Sequence, residues 1–156
     1  MELDCEMSDS QPTGSPKSVP RPASTVSLPK DPVKRVSLNF GELEFYPHHM
    51  VSRMNAGVHL DEGEFNEILG LIEKHFGIQP YGYLSDRVAD YSVNPVSAQR
   101  VVSDTTVVAG AFVIRNQRAR EVSKVERLFY NAPVLLCATM EEAELFLATH
   151  LFPEGE

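Results

Sequence analysis

Apolar and polar positions divide the chain into two unequal parts. From about residue 33 onward the apolar residues recur with the periods of strands and helices, whereas residues 1–32 show no such period. Val36, Leu38 and Phe40 alternate with Ser37 and Asn39, the pattern of a half-buried strand. Gly41-Glu42 reads as a turn, Leu43 and Phe45 resume the alternation, and Pro47 ends it. A further strand is predicted from about His49 to Asn55, with Met50, Ser52 and Met54 on one face. These strands, joined by tight turns, read as antiparallel.

The helices carry local start and stop signals. Asp61 followed by Glu64 makes a capping-box pattern, and Phe65, Ile68, Leu69, Ile72 and Phe76 then form one apolar stripe. Gly77 supplies the stop, and Gly70 inside the stripe predicts close packing against a neighbour. Ile78 to Leu84 is the next strand. Asn94-Pro95 starts a helix to about Val102, which buries Val101 and Val102 and breaks at Ser103-Asp104. Thr106 to Ile114, TVVAGAFVI, is apolar throughout, as expected of a strand covered on both faces. A helix from Asn116 or Gln117 shows a stripe of Ala119, Val122, Val125 and Phe129, with Glu126 among the residues expected in water. Pro133 to Ala138 is a short strand. Thr139 and Glu142 open a last helix that ends at Pro153, its apolar face formed by Met140, Ala143, Phe146, Leu147 and Leu151.

Antiparallel strands followed by βα alternation predict an α/β fold. The expected architecture is a mixed sheet of about five to six strands, antiparallel at its N-terminal side and parallel later, packed by about four helices. The domain is expected over residues 33–156, and residues 1–32, rich in Pro and Ser, read as a disordered tail.

Composition narrows the function. Hydrophobic content of 42% suffices for a core, yet no apolar run approaches the ~20 residues that span a bilayer. The net charge is -8, and the charges of residues 1–35 cancel, so the acidic excess lies on the predicted domain. Such a surface lacks the electrostatic footprint of nucleic-acid binding. Cys5 and Cys137 lie far apart, and the acidic N-terminus has no secretory pattern, so a cytoplasmic location is expected.

Three segments carry a family resemblance: FGELEFYPHHMVSRMNAGVHLDEGEF, YGYLSDRVADYSVNP and LFYNAPVLLCATMEEAELFL. Over roughly residues 36–152 the chain resembles the SpoIIAA-like or STAS/SEC14-type domains of bacteria, in particular the uncharacterised single-domain members. The resemblance implies a partner-binding regulatory module. Some STAS domains carry a phosphorylated Ser or Thr at the start of the helix after a central strand. This chain departs from the DSSG-like signature usual there and has Asp90-Tyr91-Ser92 and Asn94-Pro95 in the comparable loop.

Candidate chemistry gathers at Tyr81–Pro95, a strand end followed by a polar loop and a helix start, where open α/β sheets place ligands. Ser85, Asp86, Arg87, Tyr91, Ser92 and Asn94 are the candidate partner- or ligand-binding residues, and Tyr81 and Tyr83 flank them. The plainer reading is local: Ser and Asp cap turns, and Arg87 pairs with a nearby Asp. That reading weighs more, because nothing beside these residues supplies a second catalytic group. His48 and His49 are adjacent on a strand and point to opposite faces, which disfavours a shared metal ion. Nucleophile elbow, P-loop and zinc motifs are absent, and the motifs call for no cofactor. The leading expectation is therefore a non-enzymatic regulatory or protein-interaction module with a protein partner. The alternative is a small-molecule or lipid-binding carrier or sensor, which needs an internal apolar cavity. A homodimer through an exposed sheet edge stays open.

Overall fold

Six strands form one mixed sheet in the computed structural model, which describes residues 27–153. They are β1 (Lys34–Leu38), β2 (Gly41–Phe45), β3 (His49–Met54), β5 (Tyr81–Asp86), β7 (Val107–Val113) and β8 (Val134–Cys137), hydrogen-bonded in that order. The β1–β2 and β2–β3 pairs are antiparallel, while β3–β5, β5–β7 and β7–β8 are parallel. The fold class is therefore as the sequence predicts. Two further strands, β4 (His59–Leu60) and β6 (Ser92–Val93), form a separate parallel ribbon.

Among the described residues four helices cover the sheet: α1 (Glu62–Phe76), α2 (Pro95–Asp104), α3 (Gln117–Glu126) and α4 (Met140–Leu151). A 3-10 turn, Arg127–Phe129, continues α3. Both capping boxes form as the sequence indicates, Asp61 with Glu64 on α1 and Thr139 with Glu142 on α4. Asn94 caps α2 by accepting from the Val96 amide, and α2 runs through Ser103-Asp104 rather than breaking there.

The layers are unequal. On one face α4 packs Ala143, Leu147 and Ala148 against Val51, Leu84, Ala111, Val113, Leu135 and Cys137. Gly82 permits this approach, since a Cβ there would lie 3.2 Å from a Leu147 methyl. On the other face α1 sets Ile68, Ile72 and Phe76 against Leu43, Phe45 and Met50. There α3 packs Ala119 against Phe112, Ile114 and Leu136. The inner strand β7 is thus covered on both sides.

Further expectations need correction, among them the turn read at Gly41-Glu42, which lies within β2 while residues 39–40 turn. Gly70 is exposed and a Cβ there would meet nothing within 4 Å, so it marks no close contact. The apolar stripe of α3 is not its buried face: Val122 and Val125 are 38% and 58% exposed, and the helix buries Ala119, Ser123 and Glu126 instead. On α2 the fully buried residue is Ala98, with Val101 and Val102 half-buried. Of the expected tail, residues 1–26 lie outside the described residues. Leu28, within the remainder, is buried in the α4 layer at 6% exposure.

Candidate functional site

Strand alternation sends the last side chains of β5 to opposite faces of the sheet. Ser85 joins the α1–α3 side and Asp86 the α4 side. Both are buried, as is Arg87, at 0%, 4% and 5% exposure.

On the α1–α3 side, Arg87 forms a two-pronged pair with Glu126 of α3. Its Nη1 donates to Oε1 at 2.8 Å and its Nη2 to Oε2 at 3.1 Å. The Nε donates to Ser85 Oγ at 2.7 Å. The guanidinium also lies 4.3 Å from the Phe112 ring centroid and 5.4 Å from that of Tyr91. Burial opposes the Arg87 charge, but the Glu126 carboxylate together with the nearby Tyr91 and Tyr83 outweighs it and raises the guanidinium pKa. The buried charge is thus matched on the spot by a planar, hydrogen-bonded partner.

Around this pair stands a group of hydroxyls. Tyr83 and Ser52 share a hydrogen bond of 2.7 Å, and Tyr91 approaches Ser85 at 3.4 Å. Tyr130 packs edge-on against Phe112. Burial raises the phenol pKa values of Tyr83, Tyr91 and Tyr130, so all three are neutral donors at ordinary pH. Tyr81, further back on β5, stacks on Phe76 and bonds Thr105, and burial pushes its phenol up to about 12.

These hydroxyls border a cavity between the sheet and helices α1 and α2. Leu43, Met50, Ile68, Ile72, Val101 and Val107 make its apolar walls. Ser52, Tyr83, Tyr91, Glu126 and Tyr130 are its polar lining, toward the C-terminal end of β5. The volume open to the centre of a water-sized molecule is about 50 Å³. One water needs roughly 10–15 Å³ by that measure, so the space admits several waters or a small organic molecule.

Asp86 does different work. It accepts from Arg53 Nε at 2.9 Å and from Arg115 Nη2 at 2.5 Å. Arg53 also reaches Glu44, which Arg35 and the Tyr46 hydroxyl contact as well. The result is a chain of alternating charges across the opposite face, away from the cavity. Ser92 is exposed on β6 and bonds His59 Nδ1 at 2.7 Å. Asn94 donates to Asp61 Oδ1 at 2.8 Å while capping α2, and so ties the starts of α1 and α2 together.

Of the six residues singled out in the sequence, then, Ser85, Arg87 and Tyr91 converge, while Asp86, Ser92 and Asn94 are placed elsewhere. Glu126, Tyr130 and Ser52 complete the site. Glu126, expected in water, is 7% exposed because Arg87 holds it inward. The alternation along β3 did place Ser52 beside Met50 and Met54 on one face, and that face lines the cavity. The histidines are spread out: His48 edges Phe152, His49 stacks on Tyr46, and His75 bonds the Tyr46 carbonyl. Among the described residues no three His, Cys, Asp or Glu side chains gather as a metal site.

No protein-family model matches the sequence, and no curated protein matches it. A solved structure is similar: an uncharacterized protein from the DUF3478 family with a SpoIIAA-like fold, from Shewanella loihica PV-4. The two share 13% identity, with a TM-score of 0.48, over 64% of this chain and 83% of that one. Among the described residues no helix is long and apolar enough to cross a membrane.

Proposed function

We propose that this domain binds a small, largely apolar molecule in the cavity between its sheet and helices α1 and α2, as a carrier or sensor. The cavity with hydroxyl and carboxylate groups along one part of an apolar lining carries the reading. Pockets of this composition hold ligands by apolar burial and orient them with a few polar groups. The reading is one of binding without catalysis. The lining contains no His, Cys or Lys, and its one carboxylate, Glu126, is held as the charge partner of Arg87.

Titration of toluene, followed by calorimetry, tests the proposal. The wild-type protein should bind it, and Ala98→Leu, which extends a side chain from α2 into the lining, should abolish binding without loss of folding. Equal affinity in the two proteins would remove the cavity from consideration.

A partner-binding role draws on a different surface. Ser85, Asp86 and Arg87 face inward and offer a partner nothing, whereas Val125 and Leu128 are 58% and 77% exposed along α3 and its 3-10 extension. Under this second reading Leu128→Asp abolishes partner capture and leaves unfolding unchanged; capture that survives the substitution refutes it.

A further inference from the structure

We infer that the cavity selects ligands bearing a hydroxyl group, a small phenol or alcohol, over hydrocarbons and over carboxylates of the same shape. This specificity presupposes the ligand-binding reading above and adds the identity of the polar group.

The inference follows from an inventory of donors and acceptors. Glu126 lines the cavity as a carboxylate with about four lone-pair sites. Arg87 takes one site on each oxygen, so acceptor capacity remains on both. Tyr130 lines the same cavity, and its ring is held edge-on against Phe112 with no side-chain hydrogen bond found for its hydroxyl among the described residues. Tyr130 contributes a free donor, and Glu126 a free acceptor. Burial and the nearby Tyr83 and Glu126 keep the Tyr130 phenol protonated, so the donor is present at ordinary pH.

A hydroxyl is the simplest group that answers both. It donates to the carboxylate and accepts from the phenol. A hydrocarbon leaves both unsatisfied after displacing water, which costs affinity because buried polar groups then lack partners. A carboxylate ligand would place its charge beside Glu126, whose own charge Arg87 already balances. Arg87 itself is not part of the cavity lining and cannot serve as its counter-ion there. Ser52 and Tyr83 bond each other at 2.7 Å and Tyr91 approaches Ser85 at 3.4 Å, so these hydroxyls are less available.

Three probes of one shape test this: 4-methylphenol, toluene and 4-methylbenzoate, titrated by calorimetry into wild type, Tyr130→Phe and Glu126→Gln. In wild type 4-methylphenol should bind at least about tenfold tighter than toluene, the equivalent of one good hydrogen bond. Tyr130→Phe should erase most of that preference while leaving toluene affinity within about twofold, since the ring against Phe112 is kept. Glu126→Gln, which disturbs the Arg87 pair, serves as the second variant, and its loss should again fall on 4-methylphenol. Toluene binding as tightly as 4-methylphenol would overturn the inference and leave the cavity reading standing. Tightest binding by 4-methylbenzoate would also overturn it, in favour of an anion site. If none of the three binds, the cavity reading falls, and the inference with it.

Discussion

Removing one member of the Arg87–Glu126 pair should destabilise the domain far more than removing both. The two side chains are 4% and 8% exposed, and three charge-assisted hydrogen bonds leave the guanidinium, two to Glu126 and one to Ser85. Arg87→Met leaves a carboxylate buried among Phe112, Tyr83 and Tyr91 without a counter-charge. Glu126→Met strands the guanidinium in the same way. Each single change should cost about 3–5 kcal/mol, the range for breaking a buried pair. The double variant buries two apolar side chains of similar length and should be close to neutral, because no charge is left behind. The coupling between the sites is then about 3 kcal/mol or more, at the upper end for residues in direct contact. The chain has no Trp, so urea unfolding followed by far-UV circular dichroism is the suitable readout. A double variant that loses as much stability as the two singles combined would refute the picture of a matched, desolvated pair. So would single variants that each lose less than about 1 kcal/mol, the behaviour of a solvated ion pair.

Three other outcomes follow from the same geometry. His49 is 2% exposed with an unpaired Nδ1, and burial, followed by the neighbouring His48, pushes its imidazole down to about 4. The unfolded chain protonates first below about pH 6.5, so stability should fall by about 3 kcal/mol between pH 6.5 and 4, and His49→Leu should flatten that slope; the same slope in both proteins would exclude His49 as its source. Asp86→Ala strips Arg53 and Arg115 of a shared buried carboxylate and should cost about 2–4 kcal/mol in urea unfolding, while toluene affinity of the folded protein stays unchanged because Asp86 lies on the opposite face. Thr139→Ala removes the side chain that accepts from the Glu142 amide and should cost about 1 kcal/mol, read as a shift in the urea midpoint at constant slope.

What the sequence discloses about this fold is what local chemistry controls. Asp61 with Glu64, Asn94 with Pro95, and Thr139 with Glu142 mark helix starts within a few residues of themselves, and each forms as read. The two-residue strands β4 and β6 escape notice because a period cannot be recognised over His59–Leu60 or Ser92–Val93. On α3 the apolar count is misleading. Val122 and Val125 suggest a buried stripe, but the face that meets the sheet needs small side chains at Ala119 and Ser123, and Glu126 turns inward toward an arginine 39 residues away in sequence. No local signal encodes such a pairing. The Tyr81–Tyr83–Tyr91 cluster was legible as aromatic residues around one loop, whereas Tyr130 joins them only because β7 and α3 bring it there.

The location of the buried pair bears on function as much as its strength does. A well-packed apolar replacement of a buried ion pair is commonly neutral or stabilising by about 1–4 kcal/mol, and filling an internal space commonly adds about 0.5–2 kcal/mol. The domain forgoes both gains, and at one place, since Glu126 belongs to the pair and to the cavity lining alike. The remaining sheet-facing layer, under α4, is filled with Leu84, Leu135, Leu147 and Cys137, each 2% exposed or less, so the chain is able to pack tightly where nothing else is required. A ligand site needs both features together, the space to admit a molecule and a fixed carboxylate to orient it. Combining Arg87→Met, Glu126→Met and Ala98→Leu should therefore give a protein that unfolds at a urea concentration within about 1 M of wild type and binds none of the cavity probes. Retained binding in that folded variant would separate the cavity from the function.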